Sequence, residues 1–123
     1  MVAAALLVRW AAPVLADSAD IHFAHAGQLA QQGKPGLARA EYLAGLKLRP
    51  GDSQAWNNLG VLYFQKQERE DAIHAFERAR RVDPGNSEIN FNLGLSLFQS
   101  NNSRGAIQYL TRALRGQHTA GTH

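Results

Sequence analysis

The chain has 123 residues, with 13 Lys and Arg against 10 Asp and Glu, a formal charge of +3 and no cysteine. That is room for one domain. Without cysteine there are no disulfides, thiolate metal sites or cysteine nucleophiles, and with charges alternating in sign no basic block exists to track phosphates, so nucleic acid is not an expected partner.

Residues 1–16, MVAAALLVRWAAPVLA, are apolar except for Arg9. Val14-Leu15-Ala16 suits a bacterial signal-peptidase site, with Pro13 breaking any helix just ahead of it. The expectation is a cleavable signal and a mature chain beginning at Asp17, hence an exported protein, periplasmic or membrane-associated. The alternative is a cytoplasmic protein. Arg9 splits the apolar run and no Lys or Arg precedes it, so an uncleaved membrane-proximal anchor and the remnant of a preceding repeat stay open. The run is too short and interrupted for a dependable span of about 20 residues.

Residues 17–52 carry Leu29, Ala38, Tyr42, Gly45 and Pro50 one period ahead of Tyr63, Ala72, Phe76, Ala79 and Pro84. Gly33 can take φ > 0 after the first helix, and Pro35 can open the second. The next stretch, 53–86, is the clearest. Trp56, Leu59, Gly60 and Tyr63 fall at i, i+3, i+4 and i+7 of one helix, and Ala72, Phe76 and Ala79 mark one face of a second. Asp83-Pro84-Gly85 then stops the chain. Gly60 and Ala72 would let the two backbones approach closely. One further period gives Asn90, Leu93, Gly94, Leu97, Ala106, Leu110 and Ala113, with Asn101-Asn102 as a turn and Ser103 as an expected N-cap. His118 stands where proline would be, and the chain is expected to trail off after Gly116.

The series Trp56, Leu59, Gly60, Tyr63, Ala72, Phe76, Ala79 and Pro84 resembles the tetratricopeptide repeat, and the resemblance covers about 100 residues. It implies an all-α fold, a right-handed α-solenoid of three helix-turn-helix repeats at 19–52, 53–86 and 87–120. The implied domain runs from 17 to 116, with a tail at 117–123. In such arrays the first helix of each pair lines a concave groove that holds an extended peptide or a partner's helix. By position, the groove residues of the first repeat are Asp20 and Phe23. Those of the second are Gln54, Asn57, Asn58, Val61, Phe64 and Gln65, and those of the third are Glu88, Phe91, Asn92, Leu95, Phe98 and Gln99. The family's carboxylate clamp for chaperone C-termini is not expected, because of its Lys, Arg and Asn positions only Asn58 survives. Asn58 and Asn92 recur at the repeat period, and amides there could hold a peptide backbone or could only tie neighbouring helices together.

No nucleophile elbow, zinc-protease motif or phosphate-cradling glycine loop occurs, so neither catalysis, a cofactor nor a small-molecule substrate is expected. His22 and His25 lie at i, i+3 on one face. A zinc site needs three or four ligands, so a polar packing pair is the plainer reading. Arg78, Arg80 and Arg81 near a helix C-terminus match its dipole, with a patch for an acidic partner as the alternative. Ile107, Leu110 and Leu114 are expected to face outward from the last repeat, where no polar capping helix follows, and could support self-association. Two functional classes follow: a non-catalytic scaffold or adaptor that binds protein or peptide in the groove, or the repeat segment of a longer multidomain protein, conceivably an enzyme.

Overall fold

The structure, a computed structural model, describes residues 18–121, with side chains through Gly116. The export-signal expectation for residues 1–16 therefore lies outside the described residues. Those described form six helices and no strand: α1 (Ser18–Gln31), α2 (Pro35–Leu48), α3 (Ser53–Gln65), α4 (Arg69–Val82), α5 (Ser87–Gln99) and α6 (Ser103–Gly121). They fall into two compact units that meet in sequence between Pro50 and Gly51.

Local chemistry sets the helix boundaries. Asp52 caps α3 by accepting from the Ala55 N–H at 2.9 Å, and Asn86 caps α5 by accepting from the Ile89 N–H at 3.1 Å. Pro35 opens α2, where its missing N–H costs nothing. The cap of α6 is Asn102, not Ser103 as expected: its Oδ1 accepts from the Gly105 N–H at 3.0 Å. The three turns inside the helix pairs each hold one residue in the left-handed region, Gly33 (φ 74°), Gln67 (φ 62°) and Asn101 (φ 63°). The expected trailing-off after Gly116 does not occur. With no proline at position 118 to end it, α6 continues to Gly121.

The first unit pairs α1 with α2 over a core of small side chains, with Ala26 and Ala38 fully buried and Tyr42 and Leu46 nearly so. Phe23 of α1 lies on Gly45 of α2, where a Cβ would collide with its ring, and its centroid is 6.5 Å from that of Tyr42.

The second unit holds α3–α6 around Ala72, Phe76, Leu93, Leu97 and Ala106, with Tyr63, Ile73, Tyr109 and Leu110 packed against them. Close approach depends on glycine at two matched positions. A Cβ on Gly60 would come within 2.5 Å of the Phe76 ring, and one on Gly94 within 2.8 Å of the Leu110 side chain. Leu110 is thus half-buried at the α5–α6 contact, which corrects the expectation that it faces outward, whereas Ile107 and Leu114 are exposed as expected. Trp56 is only half-buried, with the Arg78 guanidinium 4.7 Å over its ring. Arg80 and Arg112 lie over Tyr109 at 5.6 and 5.3 Å. Arg78 and Arg80 therefore cover aromatic faces, a structural use for half-buried arginine stems.

Candidate peptide-binding groove

The first helices of the second unit, α3 and α5, carry the same residue types one repeat apart: Asn58 and Asn92, Val61 and Leu95, Phe64 and Phe98, Gln65 and Gln99. Residues one step off the buried stripe of a helix lie along its flank, so these pairs run beside the packed faces. Val61, Phe64, Gln65, Asn92 and Leu95, with Phe76 at the base, line a cavity of about 230 Å³. It is large enough for one bulky apolar side chain. A second cavity of about 430 Å³ shares Phe64 and Gln65 with the first and adds Gln67, Arg69 and Gln99. Phe98 stays 62% exposed.

Asn57 is not a groove residue. Its side chain is fully buried, its Nδ2 donates to Glu88 Oε1 at 3.2 Å, and its Oδ1 accepts from Asn92 Nδ2 at 3.0 Å. The position predicted to face a ligand instead locks α3 to α5. Asn92 consequently has one of its two Nδ2 hydrogens engaged, and its Oδ1 meets no partner among the described residues. Asn58 is the complement. Its Oδ1 accepts from Gln54 Nε2 at 3.0 Å, leaving its Nδ2 unengaged among the described residues. Glu88 is exposed and, among the described residues, its carboxylate holds only the Asn57 amide.

Phe91 departs from the expectation as well. It lines a cavity of about 300 Å³ with Leu110, Ala113 and Leu114, on the α5–α6 side and away from the α3–α5 flank. Phe91 therefore belongs to the apolar surface of the last helix pair. The two residues predicted from the first repeat are engaged within their own unit. Asp20 Oδ1 accepts from Arg49 Nη1 at 2.6 Å, and Phe23 packs on Gly45 with Arg49 5.8 Å from its centroid.

His22 and His25 share one carboxylate. His22 Nδ1 lies 2.7 Å from Glu41 Oε2 and His25 Nδ1 3.7 Å from the same oxygen. The His22 hydrogen bond holds the Glu41 carboxyl below its usual 4.5, and this outweighs the upward push of desolvation. The histidines thus act as a polar packing pair on α2.

Gln67 and Arg69 are lining residues that reading by repeat position passed over, because they sit in the turn and at the start of the second helix. Two signals were available. A glutamine occupies the turn position that holds glycine or asparagine in the other two repeats, and an arginine opens a helix whose dipole disfavours a cation there.

Three models described as "Tetratricopeptide repeat" match the sequence, over residues 23–69, 53–86 and 87–115. Together they run from 23 to 115, and the chain belongs to the tetratricopeptide repeat family. No curated protein matches the sequence. Among solved structures, a crystal structure of MamA superposes with a TM-score of 0.83 at 20% identity, covering 87% of this chain and 63% of that one. The MamA RS-1 ArsTM double mutant gives 0.81 at 19% identity, covering 87% and 60%. MamA AMB-1 gives 0.75 at 18%, covering 80% and 54%. This chain thus spans less than two thirds of those proteins. At such identity the likeness speaks for the fold, an all-α helical-repeat solenoid.

Proposed function

We propose that the chain is a non-catalytic protein–protein interaction scaffold whose α3–α5 flank holds an extended peptide segment. The observation that carries this reading is the apolar cavity of about 230 Å³ lined by the half-engaged Asn92 amide, with the half-engaged Asn58 amide three residues before its lining residue Val61 on α3. One peptide unit could donate its N–H to Asn92 Oδ1 and accept at its C=O from Asn58 Nδ2, while a neighbouring side chain fills the space between Val61 and Leu95. Burying a Leu-sized side chain there is worth about 1.5–3 kcal/mol. Phe98 extends the apolar track.

The test is selection of binders from a random peptide library displayed on phage, followed by Leu95→Glu and Phe98→Ala. Selected peptides should lose at least about tenfold in affinity to Leu95→Glu, as a change of about 1.4 kcal/mol requires. Peptides that bind both variants as well as the parent would remove the groove.

Two further proposals concern the whole chain. The apolar face around Ile107 and Leu114 mediates self-association. Residues 1–16 direct export, so protein from the native host should have an intact mass that starts at Asp17, and a full-length species in the cytoplasmic fraction would overturn this.

A further inference from the structure

The cavity of about 430 Å³ beside the apolar one is lined by Phe64, Gln65, Gln67, Arg69 and Gln99. Its polar side chains are exposed and available: none of the three glutamine side-chain amides, nor the Arg69 guanidinium, has a hydrogen bond or ion pair among the described residues. Arg69 is the one charged residue that lines it. Glu70 and Asp71 follow in the same helical turn but are not among the lining residues.

The backbone adds a second, independent observation. Gln67 is held at φ 62° in the turn before α4, where the equivalent residues are Gly33 at φ 74° and Asn101 at φ 63°. Glycine adopts this conformation freely and asparagine tolerates it, while for a long side chain it is strained. The strained residue is itself one of those that line the cavity of about 430 Å³. Observed strain of this kind clusters where a side chain must be presented to a ligand.

The geometry points to a carboxylate-reading subsite: Arg69, assisted by the Gln65, Gln67 and Gln99 amides, takes an acidic side chain of the bound peptide, next to the bulky apolar residue seated between Val61 and Leu95. The inference rests on the groove reading above and gives it a sequence preference. The two cavities share Phe64 and Gln65, so the apolar and acidic residues of the ligand are neighbours or one residue apart. Guanidinium and amide N–H groups supply donors only to a carboxylate, and the one lining charge is of opposite sign to it. A lysine in the same place would meet Arg69 without a counter-charge.

The same phage-displayed library, panned in parallel on the parent, Arg69→Glu and Gln67→Gly, tests this. Arg69→Glu is safe for folding because a carboxylate at the first residue of α4 complements the helix dipole. Parent-selected peptides should be enriched in Asp or Glu within two residues of a bulky apolar residue. They should bind Arg69→Glu about 10–100-fold more weakly, the loss expected for a charge-assisted hydrogen bond. Selection on Arg69→Glu should replace the acidic residue by Lys or Arg. Gln67→Gly should raise the urea midpoint while lowering affinity for the parent-selected peptides. Binders that depend on Leu95 but show no acidic enrichment, or that ignore Arg69→Glu, would overturn the subsite and leave the groove standing. A library yielding no binders on any of the three would overturn both.

Discussion

At the scale of single residues, the two side chains that best separate reading from structure are Asn57 and Trp56. Both sit at diagnostic positions of the central repeat. Asn57 was expected to face a ligand and is fully buried, bridging Glu88 and Asn92. Asn57→Ala removes both bonds and leaves Asn92 Nδ2 without its acceptor, so it should cost about 1–3 kcal/mol. Trp56, the most recognisable residue of the repeat, is half-buried and covered by Arg78. Trp56→Ala should cost about 1–3 kcal/mol, less than the 3–5 typical of a fully buried aromatic. Urea unfolding of both variants measures this, and a Trp56→Ala loss well above the Asn57→Ala loss would contradict the observed burial. Repeat periodicity could not reveal either outcome, because it assigns a flank and not the partner waiting on it. In the first unit, the Glu41 carboxyl is held below 4.5 by His22. A lowered carboxyl contributes stability above its unfolded pKa and loses it as pH falls through the folded value. The advantage of the parent over Glu41→Gln should therefore be present above pH 4.5 and decline progressively as the pH falls below it toward the lower folded value, as read from paired unfolding curves.

Among elements, helix pairing depends on a notch that admits a large side chain. Gly60 receives Phe76 and Gly94 receives Leu110, one repeat apart, while in the first unit the roles are exchanged and Gly45 of the second helix receives Phe23 of the first. Gly60→Ala gains helix propensity but drives a methyl group into the Phe76 ring. Overpacking of that kind costs about 1–3 kcal/mol and outweighs the gain of about 1. Circular dichroism melts should show a lower midpoint for Gly60→Ala, and an unchanged or higher one would mean the notch can widen. This level was the most legible in the sequence. Glycine, alanine and aromatic residues at fixed offsets dictate a packing geometry, and the six helices follow it. Helix ends were less legible wherever two polar residues competed, as with Asn102 and Ser103, since only one can take the cap conformation. The continuation of α6 to Gly121 shows that a missing stop signal extends a helix.

For the molecule as a whole, large exposed apolar side chains among the described residues occur on both units, Ile21, Leu37, Leu43 and Leu48 on the first and Val82, Phe91, Phe98, Ile107 and Leu114 on the second. The two most exposed lie on the last helix. Phe91, Ile107 and Leu114 are 50%, 66% and 67% exposed, and Phe91 and Leu114 flank the cavity over Ala113. Contiguous apolar surface of this kind marks interaction sites in soluble proteins. If it mediates self-association, Ile107→Glu combined with Leu114→Glu should shift sedimentation toward the monomer at concentrations where the parent self-associates. Leu110 is left intact in this test because it holds α6 on Gly94, and its loss would confuse dissociation with unfolding.

The stacking of Arg78 on Trp56 has an optical consequence. The chain contains two tryptophans, and Trp10 lies outside the described residues. In a Trp10→Phe variant, light absorbed by indole would report from a single place, the α3–α4 contact, while the α1–α2 pair, whose aromatic chromophores are Phe23 and Tyr42, would stay dark at that wavelength. A guanidinium over the ring alters the field that the excited indole feels, so emission should change as α4 parts from α3. The protein thus carries its own fluorophore for following one half of its chain without added dye.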